Sequence, residues 1–390
     1  MGLAPAQARR RGPSERHHTM QPSSDPLLFT PGPLTTSSTV KQAMARDLGS
    51  RDRSFIAVVA EVRERLVALA TRAPAEYTAV IMQGAGTMGV EAMIGTFIPR
   101  GGKLLVAVNG AYGRRIARIA EILGISVVPV EGPEDRPTDL GALESALFAD
   151  EGITHIAAVH CETTTGVLNP IQAIGGLAVR HGRRLLVDAM SSFGAVPLDM
   201  ADAHIDALVS SSNKCIQGVP GFSFCVANKQ ALEACKRNAR SLSLDLYDQW
   251  SGLERDGQFR FTPPVQSLLA FRQALAELEA EGGVEARMAR YRENHRVLLE
   301  GLTALGYRAY LDRAFQGWTI TTFWQPRDPR FRFDDFYRRL AERGLVIYPG
   351  KLTQAECFRI GSIGHLGPDD MRALVSAIAP ITKELGFSPS

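Results

Sequence analysis

Residues 183–221 read RRLLVDAMSSFGAVPLDMADAHIDALVSSSNKCIQGVPG, and this stretch decides the fold class. The apolar runs 183–187 and 207–209 are predicted strands, and polar residues follow each of them. Asp188 comes directly after the first strand, and Lys214 follows the second after a run of small polar residues. Because ligands collect at the carboxyl ends of parallel strands, the stretch predicts both a buried parallel sheet and a cleft at its edge.

The same rhythm continues outward toward the N-terminus. A predicted helix over 112–123 has apolar residues at spacings of three and four, while arginines occupy its other positions. Continuously apolar strands that alternate with such helices predict an α/β fold, with a mainly parallel central sheet and helices on both faces. The further predicted strands are 78–82, 104–108, 126–130 and 153–159.

After about residue 264 the pattern changes to a smaller α+β arrangement. Two helical segments, 264–281 and 284–305, run almost end to end around Gly282 and Gly283. We therefore predict a large domain over 25–282, with its N-terminal segment at the active-site mouth, and a small domain over 283–390. The small domain is predicted to contain strands at 318–324, 345–348 and 357–360 and helices at 334–343 and 368–385.

The first 24 residues form a different kind of segment. They are rich in Pro, Ser, Arg and Gln and contain no apolar run, which excludes a secretory signal. We predict a disordered extension over 1–24, with Met20 as a candidate true start.

The overall composition is that of a globular enzyme. Of 390 residues, 45% are hydrophobic and 22% are charged, which excludes a disordered chain, a coiled coil and a collagen. No apolar run approaches the roughly 18 residues of a membrane helix. The net charge of +3 equals the surplus of arginines within residues 1–18, so the rest of the chain is neutral. We expect neither a membrane nor a nucleic acid as partner.

The five cysteines are odd in number and include no CxxC pair. This pattern disfavours a disulfide framework and a metal site, and it is typical of a reducing compartment. We therefore expect no metal and a cytoplasmic location.

A glycine-rich turn at 84–89 matches G-x-G-x-x-G, the fingerprint of dinucleotide binding. That fingerprint also needs an acidic residue at the end of the next strand, and here that strand ends in Asn109-Gly110. The missing acid argues against a nicotinamide dehydrogenase. The turn still offers backbone N–H groups at the start of a helix, which suits a phosphate. A tight turn with no ligand is the alternative.

Together, the phosphate cradle, Asp188 and Lys214 match what pyridoxal phosphate requires. The lysine can form a Schiff base with the cofactor's aldehyde, and the acid can pair with its pyridinium nitrogen. Each signal is weak alone, since Asp188 could cap a helix or form a turn. Their order along the chain makes the combination strong.

With these motifs in place, residues 27–385 resemble the class V aminotransferases, a family of fold-type I enzymes that depend on pyridoxal phosphate. Two segments are specific to the branch of that family that acts on 2-aminoethylphosphonate and pyruvate, NKCIQG at 213–218 and SLSLDLY at 241–247. The wider class shares LFTPGPLT at 28–35, QGAGT at 83–87, ETTTG at 162–166, VDAMSSFG at 187–194, YPGK at 348–351 and FRIG at 358–361.

The resemblance implies roles for individual residues. Lys214 would form the aldimine and move the proton, and Asp188 would keep the ring nitrogen protonated. Arg359 would bind the anionic group of the substrate. The other implied cofactor contacts are Gly86, Thr87 and Ser211 at the phosphate, Tyr112 stacked on the ring, Thr164 near the phenolic oxygen, and Thr262 from the other subunit of a homodimer.

Ordinary structural roles remain open for three of these residues. Tyr112 could be a core aromatic, Ser211 a turn residue and Arg359 a member of a surface ion pair. The chain also departs from the family at Ala85, where serine is frequent, and in the loop 49–53, which is unusually basic. That loop lies near the active-site mouth in the class, so it bears on the choice of amino donor.

The resemblance implies transfer of the amino group of 2-aminoethylphosphonate to pyruvate, giving phosphonoacetaldehyde and L-alanine in phosphonate catabolism. It would proceed by a ping-pong mechanism through a pyridoxamine intermediate. Alanine–glyoxylate or serine–pyruvate transamination is the alternative, with differences expected at 49–53 and near Trp318. A catalytically silent binding protein with the same fold is a third possibility, against which Asp188 and Lys214 argue.

Overall fold

A computed structural model describes residues 25–352 and 355–389. The predicted extension over 1–24 and the candidate start at Met20 lie outside the described residues. The strands are β1 (Leu27–Leu28), β2 (Tyr77–Gln83), β3 (Lys103–Val108), β4 (Ser126–Glu131), β5 (His155–Val159), β6 (Cys161–Glu162), β7 (Val167–Leu168), β8 (Arg184–Asp188), β9 (Ala207–Ser211), β10 (Phe222–Asn228), β11 (Ile320–Trp324), β12 (Leu345–Val346), β13 (Tyr348–Pro349) and β14 (Cys357–Gly361). The α-helices are α1 (Ser38–Ala43), α2 (Arg53–Ala70), α3 (Gly86–Phe97), α4 (Ala111–Ile122), α5 (Leu140–Ala149), α6 (Ile171–Arg180), α7 (Lys229–Glu233), α8 (Leu246–Asp256), α9 (Val265–Glu281), α10 (Gly283–Ala304), α11 (Phe333–Ala341) and α12 (Pro368–Leu385).

The central sheet has seven strands in the order β2-β10-β9-β8-β5-β3-β4 among the described residues. The pairs among β9, β8, β5, β3 and β4 are parallel, which confirms the mainly parallel sheet predicted from the sequence. Strand β10 is antiparallel to both of its neighbours and was not predicted. The six strands predicted for the large domain, at 78–82, 104–108, 126–130, 153–159, 183–187 and 207–209, are all present within two residues of their predicted bounds.

Helix α3 lies directly against the sheet because it carries a glycine at the contact. A Cβ on Gly89 would stand 2.6 Å from Ser223 Oγ and 2.9 Å from Val209 Cγ2. Only a residue without a side chain allows this approach. The contact places the N-terminus of α3 at the carboxyl end of β2, beside the ends of β8 and β9. The edge of the sheet that holds Asp188 and Lys214 therefore also holds a helix N-terminus.

A second apolar core lies beyond the central sheet and is built mainly from residues after Gly283. It packs α10, α11 and α12 against the antiparallel strands β11, β14 and β13. The N-terminal segment belongs to this core as well, because β1 pairs in parallel with β12 and Phe29 is buried there. Between the two cores, α9 and α10 meet at Gly282 and Gly283, both in left-handed conformations. The domain division at 282 and 283 stays a prediction.

In the part of the chain that the structure describes, no helix has the length and apolar character needed to cross a membrane.

Candidate active site

A pocket of about 210 Å³ opens at the carboxyl ends of β2, β8 and β9, between the N-termini of α3 and α4. It brings together six of the residues singled out from the sequence: Gly86, Thr87, Tyr112, Asp188, Ser211 and Lys214. The pocket is also lined by Ala85, Val90, Arg115, Ile116, Thr163, Met190, Ser191 and Asn213.

One wall of the pocket is the first turn of α3. Gly84 has a φ of +106°, which turns the chain out of β2, and the helix begins two residues later at Gly86. No side chain caps this helix end, so its first N–H groups face the pocket and can bind an anion. Arg115 adds a positive charge here, with its Nη1 at 3.2 Å from Thr87 Oγ1. Ser211 is buried at the opposite wall, where its hydroxyl donates to Asn213 Oδ1 at 3.2 Å.

Asp188 forms the floor of the pocket because it ends β8 inside the protein. Its Oδ1 accepts the N–H of Met190 at 2.9 Å, and Oδ2 accepts no hydrogen bond from any described residue. Burial raises the pKa of this carboxyl to about 6, although the Met190 N–H acts in the opposite direction. A buried carboxylate with one open oxygen is suited to a cationic partner.

Lys214 reaches into the same pocket from the loop after β9. Its Nζ donates to the carbonyl oxygen of Pro31 at 2.6 Å. The next residue, Gly32, has a φ of +125°, and a Cβ there would lie 2.6 Å from Nζ, so only glycine leaves room for the amine. Burial lowers the pKa of Lys214 to about 8, and the charges of Arg359 and Lys351 act in the same direction. The amine therefore loses its proton readily, as a nucleophile or base must.

The ring of Tyr112 lines the pocket from the first turn of α4. The guanidinium of Arg115 lies 4.7 Å from the centre of this ring, and Lys351 Nζ lies 4.8 Å from it. The buried carboxylate of Glu162 binds the N-terminus of α4, where it accepts the N–H groups of Tyr112 and Gly113, each at 3.4 Å. A carboxylate at a helix N-terminus is electrostatically favoured. Tyr112 is thus partly packed on the core and partly exposed to the pocket.

Thr164 does not line the pocket, although the sequence suggested a cofactor contact for it. Its hydroxyl donates to Glu162 Oε1 and accepts the N–H of Ala111 at 3.1 Å. The neighbouring Thr163 lines the pocket instead, and its hydroxyl lies 2.6 Å from Ser191 Oγ. Thr164 therefore supports the start of α4, while Thr163 faces the space where a ligand would bind.

Arg359 lies next to the pocket, in the middle of β14, rather than in its lining. It is 6% exposed, and it forms no ion pair with any described residue, so it is not part of a surface ion pair. Its Nε donates to the carbonyl of Pro349 at 3.0 Å and its Nη1 to that of Thr163 at 3.1 Å. Because these two partners are neutral, the guanidinium keeps an unbalanced positive charge beside Lys214.

Thr262 is exposed and lies outside the pocket of its own subunit. The carbonyls of Phe261 and Thr262 accept hydrogen bonds from Gln83 Nε2 at 3.1 and 3.0 Å. This contact fixes Thr262 beside the turn that leads into α3, with its side chain free of the cofactor pocket in the same chain.

Two other regions highlighted by the sequence also lie outside the pocket lining. In the loop 49–53, Asp52 caps the turn by accepting the Gly49 N–H at 3.0 Å, and Arg51 and Arg53 are exposed. Trp318 donates its Nε1–H to the carbonyl of Ala195 at 3.2 Å and lies under the guanidinium of Arg292.

Sequence reasoning missed three charged residues at the site. Arg115 follows Tyr112 by three positions on α4, and this spacing on a helix could have indicated a shared face. Glu162 and Lys351 are part of the ETTTG and YPGK segments, but no local signal shows that they approach Tyr112. Burial raises the pKa of Glu162, and burial, with Arg115 and Arg359, lowers that of Lys351.

The residues of the pocket fit pyridoxal phosphate. An uncapped helix N-terminus with Arg115 suits its phosphate, the open oxygen of Asp188 suits its ring nitrogen, and the amine of Lys214 suits its aldehyde. The ring of Tyr112 supplies an aromatic face between these groups. Among the residues described, no group of three or more His, Cys, Asp or Glu side chains could hold a metal ion.

Comparisons with known proteins agree with this arrangement. The family described as "Aminotransferase class-V" matches residues 35–353. A curated relative from Salmonella typhimurium, named 2-aminoethylphosphonate–pyruvate transaminase, is 52% identical over 90% of this chain and 96% of its own length. A relative of the same name from Pseudomonas putida is 47% identical over 93% of this chain and 98% of its own.

Solved structures share the fold at lower sequence identity. The pyridoxamine–pyruvate aminotransferase of Mesorhizobium loti superposes with a TM-score of 0.85 at 26% identity, covering 93% of both chains. An alanine–glyoxylate aminotransferase from Nostoc superposes with a TM-score of 0.84 at 25% identity, covering 98% of this chain and 97% of its own.

Proposed function

Since this chain belongs to the class V aminotransferases, a family of enzymes that use pyridoxal phosphate, we propose that it transfers the amino group of 2-aminoethylphosphonate to pyruvate. The products would be phosphonoacetaldehyde and L-alanine. The observation that carries the proposal is one pocket lined by Lys214, with a lowered pKa, and by the buried carboxylate of Asp188, with the guanidinium of Arg359 next to it. The names of the relatives at 47% and 52% identity support this choice of substrates.

Bound pyridoxal phosphate supplies an electron sink and a temporary carrier for the amino group. In the proposed arrangement the N–H groups of Gly86 and Thr87 bind its phosphate, with Ser211 on the opposite wall. Tyr112 stacks on its ring. The carboxylate of Asp188 binds the ring nitrogen and favours its protonated form, because Oδ2 has no other partner among the described residues.

Lys214 attaches the cofactor and then acts as base and acid. Its neutral amine removes the proton from the substrate carbon that bears the amino group. The ammonium formed in this way then gives the proton to the cofactor carbon that receives the amino group. A lysine in full contact with water would stay charged at neutral pH. The low pKa that burial imposes on Lys214 therefore supports this role.

Arg359 binds the anionic end of both substrates in turn. A guanidinium has parallel N–H donors that match two oxygens of a carboxylate or of a phosphonate. Two main-chain carbonyls fix its direction without cancelling its charge. Lys351 brings a second positive charge, with its Nζ 4.8 Å from the centre of the Tyr112 ring, which favours a dianionic phosphonate over a carboxylate.

The active unit in this proposal is a homodimer, with Thr262 facing the phosphate of the partner's cofactor. Thr262 is held beside the α3 turn, but its side chain does not reach the pocket of its own chain. Met88, in the first turn of α3, and Phe261, whose carbonyl accepts from Gln83, are 49% and 45% exposed. Exposed apolar side chains at the mouth of a site are typical of a protein interface.

We also propose that the protein acts in the cytoplasm. The five cysteines are unpaired and buried, which is consistent with a reducing compartment.

A panel of amino donors, assayed with pyruvate and with glyoxylate, tests the proposed substrates. We expect 2-aminoethylphosphonate with pyruvate to give the highest kcat/KM. Faster turnover of alanine with glyoxylate would contradict the proposal and assign the chain to the other class V activity. A purified protein without the visible absorbance of bound cofactor would contradict the enzyme assignment itself.

A further inference from the structure

Three polar residues occupy the buried face of the first half of α10, where a packed helix usually carries apolar side chains. Arg287, Tyr291 and Asn294 are 1%, 0% and 0% exposed. Their spacing of four and three places them on one face, which continues as Leu298 and Leu302. Burying a polar group costs free energy unless it is hydrogen-bonded. The partners of these side chains therefore show what the face is built to hold.

On one side, the face binds the loop that carries Lys214. Arg287 donates from Nη1 to the carbonyl of Cys215 at 2.7 Å, and its Nε binds the carboxylate of Glu281 at 2.6 Å. Tyr291 accepts from Gln217 Nε2 at 2.5 Å. Gln217 has a φ of +69°, a conformation that few residues other than glycine adopt. Arg287 thus binds the main chain just after Lys214, and Tyr291 binds the side chain of Gln217 in the same loop.

On the other side, the same face binds the loop that follows β14, the strand of Arg359. The hydroxyl of Tyr291 also accepts the N–H of Gly364 at 3.0 Å, and Gln217 Nε2 donates to the carbonyl of Gly364 at 2.7 Å. Asn294 Nδ2 donates to the carbonyls of Ser362 and Leu366, both at 3.0 Å. Tyr291, Gln217 and Gly364 therefore close one hydrogen-bonded ring across the two loops.

We propose that Tyr291 and Arg287 are positioning residues that fix Lys214 relative to Arg359. The inference rests on the proposed function, in which the amine reacts while the arginine holds the far end of the substrate. These two groups lie on different parts of the fold, and Tyr291 of α10 binds the loops of both through its one hydroxyl. A displacement of about 1 Å between reacting groups can cost roughly 100-fold in rate.

The first test compares Tyr291→Phe with Tyr307→Phe. Both variants lose one phenolic hydroxyl of a buried tyrosine, but that of Tyr307 bonds, among the described residues, to Thr382 in the second core, at 2.9 Å. We expect Tyr291→Phe to lower kcat/KM about tenfold with either amino donor, 2-aminoethylphosphonate or alanine. It should also shift, by about half a pH unit or more, the midpoint at which the visible absorbance of the holoenzyme changes. Tyr307→Phe should change neither property.

The second test separates the two sides of the face with Arg287→Lys and Arg290→Lys. Both arginines bind Glu281, but Arg290 reaches the carbonyls of Gly364 and Leu366 and not the Lys214 loop. We expect Arg287→Lys mainly to lower kcat and to shift the pH midpoint of the visible absorbance. Arg290→Lys should act mainly on the KM for pyruvate, because Arg290 binds the main chain of the loop after Arg359 and, unlike Arg287, donates no hydrogen bond to the Lys214 loop.

The inference is overturned if Tyr291→Phe and Tyr307→Phe match each other in absorbance midpoint and in kcat/KM per folded protein. It is also overturned if Arg287→Lys leaves the midpoint of the wild type unchanged. These outcomes are distinct from a failure of the proposed function, because the absorbance titration needs the bound cofactor alone and no particular amino donor.

Discussion

Lys214 and Arg359 are two cations at one cleft, and the protein surrounds them in opposite ways. Lys214 extends from a loop and donates to one carbonyl, that of Pro31, while burial lowers its pKa to about 8. Arg359 stands in the middle of a strand, and two carbonyls fix its guanidinium. A guanidinium stays protonated over the whole range in which proteins are folded.

The difference shows how one environment can yield two functions. Neither cation forms an ion pair with a described carboxylate; each donates to main-chain carbonyls instead. Burial disfavours the charged form of a group that can lose its proton. An ammonium responds by releasing its proton, whereas a guanidinium cannot and instead attracts an anion. The lysine becomes the reactive group and the arginine the binding group. Five experiments on these two regions can break or sharpen this contrast.

The largest effect is expected for Lys214→Ala. The substitution removes both the covalent attachment of the cofactor and the proton carrier, so turnover should be lost while the fold remains intact. Lys229→Ala is the matched control, since Lys229 also donates to a main-chain carbonyl, that of Ala75, away from the pocket. Residual turnover, or an unchanged visible absorbance of the holoprotein in Lys214→Ala, would show that another group reacts.

Asp188→Asn should produce the next largest effect. An amide can occupy the same space but cannot stabilise a protonated ring nitrogen, so we expect cofactor binding to persist and kcat to fall by about 10²- to 10³-fold. Asp139→Asn, at the N-cap of α5, is the control for a carboxylate that only accepts backbone N–H groups. Rates near those of the wild type in Asp188→Asn would give this residue a purely structural role.

Much of this arrangement could be predicted from the sequence, because Asp188 and Lys214 follow strands whose apolar runs are visible without alignment. The strand β10 could not be found in the same way, since it returns antiparallel without an intervening helix. Thr163 rather than Thr164 lines the pocket because of the directions of the two side chains in a turn, which the sequence does not reveal. The polar face of α10 looks solvent-exposed by its residue types, and segments distant in the sequence, among them 215–217 and 362–366, bury it.

Arg359→Lys should weaken both half-reactions because a point charge replaces two parallel donors. Losing one charge-assisted hydrogen bond costs about 1.5–3 kcal/mol, which corresponds to roughly 10- to 150-fold in kcat/KM. The measurement is kcat/KM for 2-aminoethylphosphonate and for pyruvate. Arg343→Lys, which loses a surface contact with Glu384, is the control. An effect on one substrate only would mean that the other binds elsewhere.

Lys351 and Arg51 are competing sources of a second positive charge for the phosphonate. Both residues are exposed and neither lines the pocket of its own chain, but Lys351 Nζ lies 4.8 Å from the centre of the Tyr112 ring, which does line it. We expect Lys351→Met to lower kcat/KM for 2-aminoethylphosphonate about fivefold and that for alanine less, since a dianion loses more than a monoanion. Arg51→Ala should have a smaller effect. If Arg51→Ala instead impairs 2-aminoethylphosphonate more, the basic loop at 49–53 supplies the contact.

The smallest effect, and the sharpest test of the contrast, concerns pH. Only the neutral amine of Lys214 can attack the cofactor's aldehyde, so reconstitution of the cofactor-free protein should accelerate as pH rises through about 8. Between pH 8 and 9 the neutral fraction grows from about one half to about nine-tenths, so the rate should change by less than about twofold. Pyruvate affinity, measured on the holoenzyme by its KM, should stay constant over this interval because its binding group is a guanidinium, whose charge is fixed. A reconstitution rate that keeps rising tenfold per pH unit up to about pH 10 would show that Lys214 retains the pKa of an exposed lysine, and the distinction between the two cations would then not arise from burial.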